Sequence, residues 1–325
     1  METKLLRRMM TGLALLFWIS MAWSQALQYP NRPIRLIVPY PPGGAIDPLA
    51  RTYAQRFNEA WGQPVLIDNK PSAGTIVGTE IVAKAAPDGY TVILGTSAHA
   101  VNPSMYSKLP YDPVKDFTPI SLVARLPSML VVNPQLQVNS VKELIDYLKA
   151  NRGKVSYSSN GNGSTTHLAG ALFNTMAGVD LLHIPYKGSG PSVMSVIAGD
   201  NLVTFDTVFL QLPHVKAGKL RALAVAGAKR SPLAPNLPTI AESGLPGFEV
   251  AAWVGFLAPA KTPHDIVQKW YQEITRTLQN QEIRERQISQ GLEPVGSTPE
   301  YFAEFIKTEI DKWGNVVRQA GIKLE

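Results

Sequence analysis

Residues 155–167, Val-Ser-Tyr-Ser-Ser-Asn-Gly-Asn-Gly-Ser-Thr-Thr-His, gather backbone donors, hydroxyls and one imidazole at a single junction. A short β-like run enters a Gly/Ser loop, and Leu168, Ala171, Leu172 and Met176 then recur at helical spacing. The first turn of a helix carries unpaired N–H groups and the positive end of the helix dipole, so such a junction attracts anions. The same design recurs from Val38 to Asp47, through two prolines and two glycines, and more weakly from Asn69 to Thr75. Three anion-cradling loops with no catalytic group beside them point to a binder of small carboxylates.

Each loop supplies candidate contacts. Asn160, Gly161, Ser164, Thr165 and His167 belong to the first, although His167 equally suits a packed place beneath the helix. Tyr40, Pro42, Gly43 and Gly44 belong to the second, where the glycines can present N–H groups without a side chain in the way and the prolines stiffen the approach. A plain tight turn would use the same glycines. Asp47 precedes Pro48, as a helix N-cap precedes a proline at N1; the alternative is a carboxylate that accepts from an amine, amide or hydroxyl on the ligand and repels a second carboxylate. Ser72, Ala73 and Thr75 belong to the third loop, and Thr96 and Ser97 follow the strand-like run Thr91–Leu94. Asp206 follows the buried-looking run Leu202–Phe205, either at a strand end facing the ligand or as the cap of a helix near Phe209–Val215.

The elements that must position these loops alternate. Ile34–Val38, Val65–Ile67 and Thr91–Leu94 read as strands, with Ile46, Leu49, Ala50, Tyr53 and Phe57 at helical spacing between the first two. The pattern restarts with a strand at Met129–Val132, a helix over Val141–Ala150, and strands near Val155–Ser158, Leu181–Ile184, Val203–Phe205 and Ala222–Val225. Two runs of βα units imply two α/β lobes with parallel sheets. After Trp253–Leu257 the reading finds helices only. One opens at Thr262-Pro263-His264 with Pro at the first helical position, the other at Thr298-Pro299-Glu300, and both are expected to pack on the first lobe. The chain then crosses between lobes near Leu122–Pro127 and again near Phe248–Val254, which makes a hinge. In open α/β sheets ligands sit at the carboxyl ends of strands, where all three loops fall.

The N-terminus has Lys4, Arg7 and Arg8, an apolar run from Met9 to Trp23, and small residues near Ser24 and Ala26: the layout of a cleaved secretory signal peptide over residues 1–26. With no cysteine, neither a lipoprotein anchor nor a disulfide framework is available, and the mature chain of about 300 residues that cleavage would leave must be held by its core. A net charge of +6 with no Lys/Arg block argues against a nucleic-acid partner.

Enzyme signatures are thin. The five histidines are scattered, with no HExxH pattern and no cysteine for a zinc site, and no G-x-S-x-G elbow occurs. Gly161-Asn162-Gly163 begins like a dinucleotide fingerprint, but residue 166 is Thr, and His183–Tyr186 occupies the place where a fitting acidic partner would stand.

On the segments Tyr29–Tyr40, Pro42–Asp47, Asn69–Gly74, Ala86–Thr91, Asp116–Ile120, Gly161–Leu168, Ile184–Gly188 and Leu237–Phe248, the chain resembles the solute-binding proteins of tripartite tricarboxylate transporters, the Bug family of periplasmic receptors. The resemblance covers the mature chain. It implies a two-lobed α/β type II periplasmic-binding-protein (Venus flytrap) fold that closes over a small carboxylate, mono- or dicarboxylate, aliphatic or aromatic. The loops matching 40–47 and 159–167 would meet the ligand through main-chain N–H groups, hydroxyls and waters. Ser72 and Thr75 stand where that family usually has Gly, Ala171 where it often has Glu, and Ser195 where it often has Asp.

The expected organisation is a signal peptide at 1–26, one lobe from 27–123 plus 251–325, and a second from 124–250. The expected role is periplasmic capture of the carboxylate for membrane permease subunits, by a monomer with no cofactor, metal or catalytic residue. A hydrolase acting on an acyl or amide substrate in the same cleft, or a ligand sensor for a signalling partner, are the alternatives.

Overall fold

The structure, a computed structural model, describes residues 29–43 and 46–322; the expected signal peptide and Gly44 lie outside them. The first part runs β1 (Ile34–Val38), α1 (Asp47–Trp61), β2 (Val65–Asn69), a 3₁₀ turn (Ala73–Thr75), α2 (Ile76–Ala83), β3 (Thr91–Thr96) and α3 (Ala98–Met105). A long strand, β4 (Phe117–Val132), leads into α4 (Val141–Ala150), β5 (Val155–Ser159), α5 (Thr165–Ala177), β6 (Leu181–Pro185), α6 (Ser189–Ala198), β7 (Val203–Thr207), α7 (Val208–Lys216) and β8 (Arg221–Val225). The return comprises β9 (Ala251–Pro259), α8 (His264–Gln279), α9 (Gln281–Ser289), β10 (Glu293–Pro294) and α10 (Pro299–Gln319).

The strand order is β2-β1-β3-β9-β4-β7-β5-β6, with β8 and β10 also paired to β4. Neighbours β1, β2 and β3 are parallel, as the alternating βα pattern requires, and so are β5, β6 and β7. β4 belongs to both groups: Phe117–Pro127 pair antiparallel with β9, and Ser128–Val132 pair with β7 and β8. Register shifts between Pro119 and Ser121 and between Leu122 and Ala124 increase its local twist and let it turn from one sheet to the other. The return crossing lies alongside: Pro127 opposes Ala251, Ala226 N–H donates to Ser128 O (2.7 Å), and Val250 N–H donates to Ala226 O (2.6 Å).

One core layer seals α1 and α8 to the first sheet. Val267, Trp270, Ile274 and Leu278 form the buried stripe of α8, and Trp270 meets Phe57 edge-on at 4.9 Å between ring centroids. α8 starts one residue later than the sequence reading has it, at His264, with Pro263 at the N-cap.

The last helix departs further from expectation. α10 packs on α3 and β4 but also on α5 of the second lobe, and its Val316 and Val317 share one buried cluster with Leu172 and Phe173. At 21 residues it is about 30 Å long, enough to straddle both lobes. β10, which pairs Glu293 with Arg125, has only two residues and so leaves no periodicity to read.

Candidate functional site

Between the two sheets lies a cleft of about 740 Å³, walled by the C-terminal ends of strands from both lobes. Two helix N-termini converge on it. In the second lobe, Ser164 is the N-cap of α5: its Oγ accepts from His167 N–H (3.2 Å) and donates to Gly161 O (2.7 Å). That hydroxyl proton is therefore spent on shaping the loop, not free for a ligand as the sequence reading had it. Thr166 Oγ1 accepts from Asn160 N–H (2.9 Å) and closes the turn. The N–H groups of Thr165 and Thr166 make no hydrogen bond among the described residues, which leaves the anion-attracting end of the helix open.

From the first lobe, Ser97 and Ala98 at the start of α3 line the same cleft. Ser97 Oγ lies 3.4 Å from Thr165 Oγ1, so the two helix starts touch across the gap. Thr96 Oγ1 lies 3.0 Å from Tyr40 OH, which fixes the phenol at the cleft edge; burial pushes the Tyr40 hydroxyl up from its ordinary pKa. Among the described residues, none of those lining the cleft is a Lys or Arg.

The Pro/Gly loop after β1 behaves differently from expectation. Asp47 is the first helical residue, preceded by Ile46, and it does not cap the N-terminus of α1. Its buried carboxylate accepts from Gly43 N–H (3.0 Å), Arg51 Nε (2.8 Å) and Asn69 Nδ2 (3.0 Å). Burial alone would raise this carboxyl, but the Arg51, Gly43 and Asn69 hydrogen bonds outweigh it and hold the group below its ordinary value. Asp47 thus has its partners inside the protein, and the Gly43 N–H is committed to it. Pro42 and Gly43 are exposed and off the cleft wall.

The third loop borders a side pocket of about 230 Å³ that shares Tyr40, Gly163 and Ser164 with the main cleft. Ser72 and Thr75 line it, while Ala73 is exposed. Thr75 is buried at φ 61°, a left-handed conformation that Gly adopts far more readily. Ser72 Oγ accepts from Val77 N–H (3.0 Å).

His167 faces away from the cleft. Its Nδ1 accepts from Gly163 N–H (3.0 Å), and its ring stacks on His183 at 3.8 Å. Burial lowers both imidazoles to about 4, with the like-charged neighbour adding to the effect on His167, so both are neutral near pH 7. Gly161, at φ 124°, shapes the loop without lining the cleft. Asn160 and Asp206 do line it. Asp206 caps no helix through its neighbours three residues on; its Oδ1 accepts from the adjacent Thr207 N–H (2.7 Å).

Sequence reasoning missed the rest of the wall. Ser189 lines it from the start of α6, and the strand-end logic applied to Ile184–Gly188 would have found it. Phe209, Leu210, Leu126 and Leu292 make one side apolar. Phe209 is half exposed and packs on Gly291, where any Cβ would lie 2.3 Å from Phe209 Cβ. This contact joins α7 to the segment before β10, one lobe to the other.

The comparisons with known proteins agree with this architecture. A family profile described as "Tripartite tricarboxylate transporter family receptor" matches residues 49–322. Protein BugT of Bordetella pertussis is 40% identical over 299 residues, covering 91% of this chain and 92% of that protein. Among solved structures, Rpa4515 of R. palustris with adipate superposes with a TM-score of 0.77 at 38% identity, covering 91% of this chain and all of that one. MatC from Rhodopseudomonas palustris with bound malate gives 0.72 at 32%, covering 89% of this chain and all of that one.

Proposed function

From the premise that the chain belongs to the tripartite tricarboxylate transporter receptor family, a family of periplasmic solute-binding proteins, we propose that its cleft captures a small carboxylate in the periplasm and presents it to membrane permease subunits. The observation that carries this reading is the convergence of two helix starts, α3 and α5, on one cleft without a lysine or arginine. Backbone N–H groups and dipoles of that kind hold a carboxylate. A bidentate guanidinium clamp adds strength and geometric fixity that neutral donors lack, so its absence favours release. The bound adipate and malate of the two relatives support the ligand class.

The ligand-contacting set we propose is Tyr40, Ser97, Asn160, Thr165 and Asp206, with Ser189 added; Thr96 and Ser164 hold Tyr40 and the loop in place. Ser72, Ala73 and Thr75 flank the side pocket or its rim. The lobes close about the paired segments at 122–128 and 248–254, a hinge motion. A panel of carboxylates tested by thermal shift, then by calorimetry, checks the reading, because ligand raises apparent stability by mass action. Saturable binding with unaltered ligand recovered, and compaction in X-ray scattering at saturation, are expected. Turnover of an acyl or amide substrate, or no response to any carboxylate, would overturn it.

A further inference from the structure

Asp206 is only 1% exposed, and its carboxylate is thinly matched: Oδ1 takes the Thr207 N–H, while Oδ2 makes no well-formed hydrogen bond, although the Ser189 and Asn160 side chains stand close enough to favour its charged form. The neighbouring amide of Gln211 does not serve it. In its hydrogen-bonded orientation Gln211 accepts from the Asp206 backbone N–H (2.7 Å) and donates to Met129 O (3.0 Å). Asn160, on the same cleft wall, repeats the pattern. Its Nδ2 donates to Ser189 Oγ (2.8 Å), while its buried Oδ1 has no partner. Two buried acceptors therefore border one cleft, and none of the residues lining it is cationic. An acceptor left unpaired in a protein interior is destabilising, and more so when it is charged.

We propose that Asp206 and Asn160 form a donor-recognising subsite, so that the preferred ligand is a carboxylate that also carries an ammonium, hydroxyl or amide N–H group, and a second carboxylate is disfavoured. The proposal rests on the carboxylate-receptor reading above and narrows its ligand class. Burial pushes the Asp206 carboxyl up, and Thr207, Ser189 and Asn160 offset only part of that, which fits a group whose compensating partner arrives from outside. The role that the sequence suggested for Asp47, reading a donor on the ligand, thereby passes to the carboxylate on the opposite jaw. The remote part of the ligand then lies against Phe209, Leu210 and Leu126.

Calorimetry on a matched series tests this: straight-chain acids of four to eight carbons ending in methyl, hydroxyl, ammonium or a second carboxylate. The wild-type protein should bind the ammonium- or hydroxyl-ended member at least tenfold more tightly than the diacid of equal length. Asp206→Asn, which keeps an oxygen for the Thr207 N–H and must be shown to melt cooperatively, should erase or reverse that ratio. Asn160→Ala, a second and independent variant, should weaken the donor-ended acids several times more than the methyl-ended ones. A wild-type preference for the diacid, or a ratio that neither variant moves, overturns the subsite while leaving the carboxylate reading intact. Failure of every acid in the series to bind overturns both.

Discussion

Asp47 and Asp206 sit on opposite jaws, Asp47 as the first residue of α1 and Asp206 as the last but one of β7. Both are buried to within 3% of full enclosure. Asp47 is saturated by a guanidinium, a backbone N–H and an asparagine amide; Asp206 is left with one oxygen unmatched. The first jaw has consumed its charge internally and become a fixed wall. The second holds a group whose hydrogen bonding is complete only with a partner. Residue type and burial are alike in the two cases, and the inventory of donors within reach sets the difference.

The largest expected effect tests the saturated jaw. Asp47→Ala strips acceptors from Gly43 N–H, Asn69 and Arg51 together, and should lower the unfolding free energy by about 2 kcal/mol, measured by urea denaturation. Because Arg51 is itself more than half exposed, the ion-pair part is discounted. A variant as stable as wild type would show that the two carboxylates do not differ as described.

An acid titration sharpens the contrast within the second jaw. His167 and His183 are lowered to about 4 in the fold against 6.5 unfolded, so the stability they contribute is present above pH 6.5 and lost as the pH falls toward 4. Wild-type melting temperature should drop over that window, and His183→Asn should flatten the slope. An unchanged slope in the variant would mean that the stacked pair does not titrate as a buried neutral unit.

The two aspartates should also give stability slopes of opposite sign. Asp47, held low, contributes stability that is present above the ordinary carboxylate value near 4 and lost below it. Asp206, pushed up, penalises the ligand-free fold as the pH rises above that same value. Asp206→Asn should therefore raise ligand-free stability at pH 7 by about 1 kcal/mol, the usual trade of stability against a binding group. A destabilised but folded variant would contradict this. Tyr40 is the other titratable side chain on the cleft wall, and it stays protonated throughout.

The smallest effect lies where the jaws meet. Ser97→Ala removes the hydroxyl 3.4 Å from Thr165 Oγ1 and should weaken carboxylate binding by no more than about 1 kcal/mol in calorimetry. A loss several times larger would make Ser97 a principal ligand contact in its own right.

The sequence carried much of this arrangement through local signals. The runs Ile34–Val38 and Val155–Ser158 mark strands because β-branched and alternating residues fit a buried sheet, and Thr298-Pro299 marks a helix start that the Thr298 hydroxyl does cap. The pairing of Asp47 with Asn69 was not legible, since 22 residues separate them and only the parallel register of β1 and β2 brings them together. Arg51, four residues from Asp47, was a local clue to that engagement. The free oxygen of Asp206 was equally hidden, because it depends on which side chains of other elements reach the carboxyl. Thr75 shows the converse: its backbone is left-handed, a conformation that glycine adopts far more readily, and nothing in the local sequence announces it.

The long strand shared by both sheets has a mechanical consequence. A loose linker would let the jaws wander, but β4 passes between them as an unbroken ribbon with the returning chain bonded along its edge at Pro127–Ala251. Such a pair acts as a leaf spring: it bends about one axis, resists twisting, and stores a little elastic energy when flexed. In the closure proposed above, the jaws travel a single track, and the recoil of the ribbon works in the direction of reopening.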